Sequence, residues 1–247
     1  MAGCADQVKR VTLELGGKSA NIIFADADIE KAAASAPGAV FDNAGQDCCA
    51  RSRILIQRSA YDKFMEKFEV AVKKFRVEDP ALDTADMGPL VSTGQLERVK
   101  EFVPDGTPIA FQGSKPAGPG YWFAPTVLAP KDTTDRAYRE EIFGPVVSVI
   151  AFEDEADAIR IANDSEYGLA ASVFTHDLDC AHRMARAVRA GTVSVNCYSE
   201  GSIATPFGGY KSSGFGGRDK GVEAFNQYTE LKTVWFALNP NSSISQS

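Results

Sequence analysis

The chain has 247 residues, 44% of them hydrophobic and 24% charged, enough apolar material for one large domain or two small ones and too much for a disordered chain. Lys and Arg number 26 against 33 Asp and Glu, and the net charge of −7 argues against a nucleic-acid backbone or an anionic membrane surface as partner. No apolar run reaches the roughly 18–20 residues of a membrane span, and MAGCADQVKR lacks the apolar stretch of a secretory signal, so the expected address is the cytoplasm.

Short apolar, β-branched runs at 19–24, 53–57, 146–152, 171–174 and 192–195 alternate with helical patterns, which predicts an α/β fold with a largely parallel sheet and flanking helices. After Ser59, Tyr61, Phe64, Phe68, Val72 and Phe75 recur at three- and four-residue steps and predict a helix with one face on the sheet. Ala156, Ile159 and Ala162 predict a second helix from about Asp154, and a third is expected over about 181–190, closing at Gly191. Residues 104–119 and 199–220 are rich in Gly or Pro and read as loops, the second long enough to be functional or contact-forming. A final helix-then-strand unit ends in ELKTVWFAL, and residues 239–247 read as a frayed tail.

Five cysteines at positions 4, 48, 49, 180 and 197 show neither zinc-ligand spacing nor a secreted disulfide framework, so reduced thiols and no metal are expected. Cys48 follows a Gly-containing turn and precedes a strand, a position from which a nucleophile projects into a cleft; taken alone it reads better as a buried structural thiol. Cys49 is expected to point the opposite way along an extended chain. Upstream, Glu14 in an apolar frame precedes Gly16-Gly17, which permits tight bending or close approach of a ligand. Downstream, Glu140-Glu141-Ile142-Phe143-Gly144-Pro145 leads into a strand.

These three motifs, in this order, resemble the aldehyde dehydrogenase superfamily. The resemblance extends through Asn163–Ala170, Gly191–Asn196 and Pro206–Gly214 and covers about residues 8–238. It implies that Cys48 attacks an aldehyde and that Glu14 is the general base, for the thiol or for the water that hydrolyses the thioester. It further implies that Glu141 hydrogen-bonds the nicotinamide ribose of NAD or NADP, that Phe143 lies beside that ribose, and that Leu15 offers its backbone to the carboxamide. Asn196 is expected to support the nucleophile loop, and the Cys48 N–H to stabilise the oxyanion in part.

The resemblance also sets a domain expectation: 1–13 a remnant of an upstream cofactor-binding domain, 14–228 the catalytic domain, and 229–238 an oligomerisation strand through which a homo-oligomer forms. No strand followed by G-x-G-x-x-G and a helix precedes Glu14, so most of the dinucleotide site is expected outside this chain, leaving it inactive or weakly active alone. Asp47 reads either as a charge favouring a cationic aminoaldehyde or as a solvated loop charge. Two other readings stay open: a non-catalytic assembly subunit, and a cofactor-free thiol acyl-transfer or esterase activity through Cys48.

Overall fold

A computed structural model describes residues 1–237. In chain order the elements are α1 (Ala2–Ala5), β1 (Leu13–Glu14), β2 (Ala20–Ile23), α2 (Ile29–Phe41), β3 (Arg53–Gln57), α3 (Tyr61–Lys74), α4 (Thr93–Phe102), β4 (Ile109–Gln112) and β5 (Thr126–Leu128). There follow α5 (Arg136–Arg139), β6 (Val146–Phe152), α6 (Glu155–Asn163), β7 (Ala170–Phe174), α7 (Leu178–Ala187), β8 (Thr192–Val195), β9 (Gly214–Phe215) and α8 (Phe225–Tyr228).

Seven strands form one sheet in the order β4-β5-β6-β3-β2-β7-β8, every neighbouring pair parallel except β4 with β5. The predicted α/β class with a largely parallel sheet is therefore what the chain adopts. Helices cover both faces, so the central strands are buried on both sides and read as continuous apolar runs: all four residues of β2 and all five of β7 are buried. Successive residues serve opposite cores. Ile23, Ile54 and Ile56 pack with Phe64, Phe68 and Val40 under α2 and α3, whereas Ile22 and Leu55 pack with Ala158, Ile161 and Met184 under α6 and α7.

Helix starts follow side-chain capping. Asp28 accepts from Lys31 N–H, Asp154 from Asp157 N–H, and Asp177 from Asp179 and Cys180 N–H. The third predicted helix therefore begins at Leu178, three residues early, and ends at Ala187, before Gly191. At the other end of α6, buried Arg53 donates to the carbonyls of Ile161 and Ala162 and to Lys18 O, placing a cation where the helix dipole is negative.

Three loop or strand expectations change. β4 lies inside the segment read as a loop at 104–119; it is a sheet edge, mostly exposed, and lacks the buried apolar run that marks the inner strands. The 199–220 segment is mostly irregular but contributes β9, which pairs antiparallel with β1, Glu14 opposite Gly214. The closing helix is a single turn at 225–228, and 229–237 carry no strand in the single chain. Residues 238–247, including the end of the expected strand and the expected tail, lie outside the described residues.

Candidate active site

The thiol-bearing turn connects α2 to β3. After Phe41 a 3-10 turn spans Asp42–Gly45, in which Asn43 and Ala44 take φ of 50° and 57°. Non-glycine residues in the left-handed region store strain of order 1–3 kcal/mol, and such strain concentrates at functional turns. Gly45 completes the run at φ 68°; a Cβ there would meet Gly144 O at 2.2 Å, so glycine lets the turn lie against Gly144-Pro145. Gln46 fastens it from outside, its Oε1 accepting from Val91 N–H at 2.9 Å.

Cys48 and Cys49 sit in a β-turn closed by Ala50 N–H to Asp47 O at 3.1 Å, and Asp47 Oδ1 also accepts the Cys49 N–H at 3.1 Å. Because the backbone turns here, the two side chains do not alternate as they would in an extended chain; their sulfurs lie 3.9 Å apart. Cys49 is buried and Cys48 half-buried. Either thiol can donate across this contact; the hydrogen bond to Cys49 holds the Cys48 thiol below its ordinary range although burial and the charges of Asp47 and Glu141 oppose this. The same hydrogen bond, with burial, pushes Cys49 up. Among the described residues no other group takes the Cys48 backbone N–H.

Arg51 anchors the turn from beneath. Its buried guanidinium donates through Nη1 to Cys49 O at 2.6 Å and to Glu200 Oε1 at 2.7 Å, and through Nε to Ser172 Oγ at 2.9 Å. Asp47, Tyr198 and Glu200 line a common cavity of about 360 Å³ with Asp42, Ser35 and Arg51. Tyr198 turns its hydroxyl inward, accepting from Asn21 Nδ2 at 2.8 Å, and packs against Phe174 with the two rings tilted at 51°.

The Gly16-Gly17 step brings the second motif to the third. Gly17 N–H donates to Glu141 Oε1 at 2.9 Å, and a Cβ on Gly17 would stand 2.3 Å from Cys48 O. Burial raises the Glu141 pKa, with the Gly17 N–H and Lys18 pulling the other way. The 141–143 segment hangs on α4: Arg98 donates to Glu141 O, and Gln95 to the carbonyls of Ile142 and Phe143. Phe143 is exposed at φ 56°. Leu15 N–H is used by Ser213 O at 3.0 Å, while its carbonyl accepts no hydrogen bond among the described residues.

Glu14 departs from the expected apolar frame. It is exposed on β1 and faces polar groups, lining a cavity of about 420 Å³ with Arg10, Thr12, Asp219, Asn226, Gln227 and Tyr228. Partial burial and the charge of Asp219 raise its pKa against the attraction of Arg218. Its Oε1 lies 2.8 Å from where a Cβ on Gly208 would be, while Phe207 packs with Cys48 against Cys49, Leu169 and Ala170. One dipeptide, Phe207-Gly208, thus touches the surroundings of both groups. Among the described residues no hydrogen bond joins Glu14 to Cys48. Asn196 also differs from expectation: it holds Thr175, accepting its N–H at 3.0 Å and donating to its carbonyl at 2.9 Å, at the end of β7 rather than on the nucleophile turn.

Gln95, Arg98, Arg51 and Arg218 were not singled out by sequence. Apart from the Arg51 contact to Cys49 O two residues away, the partners of the first three are 43 to 149 residues distant, and no local pattern announces such pairings.

A strained thiol turn between α2 and β3 and a glycine pair that meets both that turn and Glu141 bring three of the sequence motifs together. The sequence profile of the Aldehyde dehydrogenase family matches residues 1–234, and the chain belongs to that family. It is 44% identical over 241 residues to an aldehyde dehydrogenase of Emericella nidulans, covering 96% of this chain and 48% of that protein. Among solved structures, the aldehyde dehydrogenase KauB from Pseudomonas aeruginosa superposes with a TM-score of 0.90 at 44% identity, over 96% of this chain and 50% of that one. Betaine aldehyde dehydrogenase from Staphylococcus aureus, solved in complex with NAD+, does so at 0.86 and 42%, over 92% and 46%. The chain spans about half the length of the curated relatives it matches. No helix among the described residues is long and apolar enough to cross a membrane.

Proposed function

We propose that this chain carries the catalytic half of an NAD(P)-dependent aldehyde dehydrogenase, with Cys48 as nucleophile and Glu14 as general base. The observation that supports the reading is that one dipeptide, Phe207-Gly208, touches the surroundings of both the Cys48 thiol, whose pKa is lowered, and the Glu14 carboxylate. Cys48 Sγ adds to the aldehyde carbon, and the Cys48 N–H, which no group but its own thiol takes, donates to the oxygen as charge develops there. NAD(P)+, when bound, supplies the hydride acceptor. Glu14 then takes a proton from the water that attacks the Cys48 thioester, releasing a carboxylic acid and the thiol. With no direct contact to Cys48, Glu14 is better placed to activate water than to deprotonate the resting thiol.

The residues present fit the nicotinamide end of the cofactor. Glu141 Oε1 is held by Gly17 N–H, and among the described residues Oε2 accepts no hydrogen bond, leaving an acceptor for a ribose hydroxyl. Phe143 presents an exposed ring beside it, and the Leu15 carbonyl, not its N–H, is free for a carboxamide. The substrate class is a cationic aminoaldehyde. Asp47 places its carboxylate within 4.8 Å of both sulfurs, and the adjoining cavity adds Asp42 and Glu200. The similarity to a betaine aldehyde dehydrogenase, named for a cationic aldehyde, points the same way. Assembly through residues 229–238 completes the proposal, supported by the exposure of Leu231, Trp235 and Phe236 in the single chain.

The test is aldehyde-dependent NADH formation by the protein with 3-aminopropionaldehyde and with propionaldehyde, after calorimetric titration with NAD+. Weak turnover, as fits a chain holding only part of the dinucleotide site, that disappears in Cys48→Ser and favours the amino substrate is the expected result; turnover unaffected by Cys48→Ser refutes the assignment.

A further inference from the structure

The geometry points to the Cys48–Cys49 turn as a dithiol site for a trivalent arsenical or a comparable soft, thiophilic centre. The two sulfurs stand 3.9 Å apart on adjacent residues, the only sulfur pair within hydrogen-bonding distance among the described residues. Soft thiolate ligands select soft centres, and two on one preformed turn act as a chelate. The turn is held by three independent contacts: Ala50 N–H to Asp47 O, Cys49 N–H to Asp47 Oδ1, and Arg51 Nη1 to Cys49 O. Little backbone freedom remains to be lost on chelation. Cys48 is half-buried and reachable, whereas buried Cys49 is poorly placed to meet a reagent first. The order of bond formation is therefore Cys48, then Cys49.

With phenylarsine oxide the step balances without any change of oxidation state. Two As–S bonds form, the arsenic–oxygen double bond breaks, and the two thiol protons leave with the oxygen as one water. Asp47, its carboxylate within 4.8 Å of both sulfurs, is the nearest base for the second proton. The site needs two sulfurs and no aldehyde chemistry, so it stands independently of the role proposed for Cys48. If Cys48 is the nucleophile, capture blocks it.

The experiment treats the purified chain with one equivalent of phenylarsine oxide. Free thiols, counted after denaturation, should fall by two from the five in the sequence. Mass mapping should place a single phenylarsenic bridge in the tryptic peptide 32–51, which holds Cys48 and Cys49 and no other cysteine. A dithiol should strip the adduct and an equal concentration of monothiol should not. Cys49→Ser, which keeps Cys48, should weaken capture by about 10²-fold or more. Five thiols remaining, a bridge in any other peptide, or an equally monothiol-resistant adduct on Cys49→Ser overturns the proposal. Peptide mapping of the unmutated chain decides the matter even where the variant fails to fold.

Discussion

Gly17 donates its backbone N–H to Glu141 Oε1 over 2.9 Å while standing directly on the carbonyl of Cys48. The two glycines of this motif therefore do different jobs. A Cβ on Gly16 would fall 2.0 Å from Glu141 Oε2, the far end of a flexible side chain that can swing away. A Cβ on Gly17 would fall 2.3 Å from a backbone oxygen of the nucleophile turn, which cannot. Gly17→Ala is expected to destabilise the chain by about 1–3 kcal/mol, the usual range for overpacking. Gly16→Ala should cost less than half of that while displacing Glu141. Urea denaturation of the two variants checks this; equal losses would mean that the Cys48 carbonyl yields as easily as a carboxylate.

The close approach of Cys48 and Cys49 yields a pH prediction. The hydrogen bond with Cys49 is the main reason that the Cys48 thiol ionises more readily, and it acts against burial. Thiolate is the form that reacts with iodoacetamide, so removing the donor raises the Cys48 pKa and moves the alkylation profile to higher pH. Cys49→Ala should accordingly alkylate more slowly at Cys48 at neutral pH and reach the wild-type rate in alkali. The measurement is the midpoint of the rate–pH curve, read by mass on peptide 32–51. A midpoint that stays put or falls would show that burial, not the neighbouring thiol, governs ionisation.

Much of this fold is legible in sequence for a physical reason: strands covered on both faces read as largely apolar runs, so β3 and β6 can be delimited residue by residue, whereas the edge strand β8 is marked by its β-branched residues. The same reasoning conceals β4, an exposed edge strand between Gly- and Pro-rich stretches. It also conceals α2, whose Pro37-Gly38 is a turn signal although the helix continues through it to Phe41. At the site, residue types and order identify the thiol, the carboxylate and the Glu-x-Phe segment. What they do not carry is mutual orientation. The Cys48–Cys49 pairing depends on a turn where an extended chain was expected, and the polar setting of Glu14 depends on Arg218 and Asp219, about 200 residues away.

Lys18 offers a test of how much burial costs here. Its side chain is fully buried and Nζ has no hydrogen-bond partner among the described residues. Burial, with the nearby charge of Arg53, lowers its pKa to about 7 from 10.5, although Glu141 pulls it back up. Between those two values the unfolded chain binds a proton that the folded chain does not, so this group makes folding more favourable as pH rises through the window. Below about 7 both states are protonated and the full penalty of burying the charge applies. Lys18→Met, similar in length and uncharged, removes the penalty. The variant should be more stable than wild type by a few kcal/mol, roughly 1–4, at pH 6, with the gap closing toward pH 10. Chemical denaturation of both proteins at several pH values gives the difference, in which groups common to both cancel. A gap independent of pH would mean that Lys18 keeps its proton when buried.

Glu14 provides the sharpest test of mechanism, because its environment predicts both a magnitude and a pH limb. A positioned general base contributes about 10²–10⁴-fold, so Glu14→Gln should lower aldehyde oxidation by that factor and leave Cys48 alkylation unchanged if the base acts on water. Cys48→Ser should abolish both. Partial burial and Asp219 raise the Glu14 pKa above its ordinary 4.5, so the active carboxylate is lost on acidification at a higher pH than for an exposed glutamate. The acid limb of kcat should lie at a higher pH than that of an exposed glutamate and move down in Asp219→Asn, which removes the repelling charge. In Glu14→Gln that limb should vanish along with most of the rate. An acid limb that persists in Glu14→Gln, or that is indifferent to Asp219→Asn, would assign the base to another group.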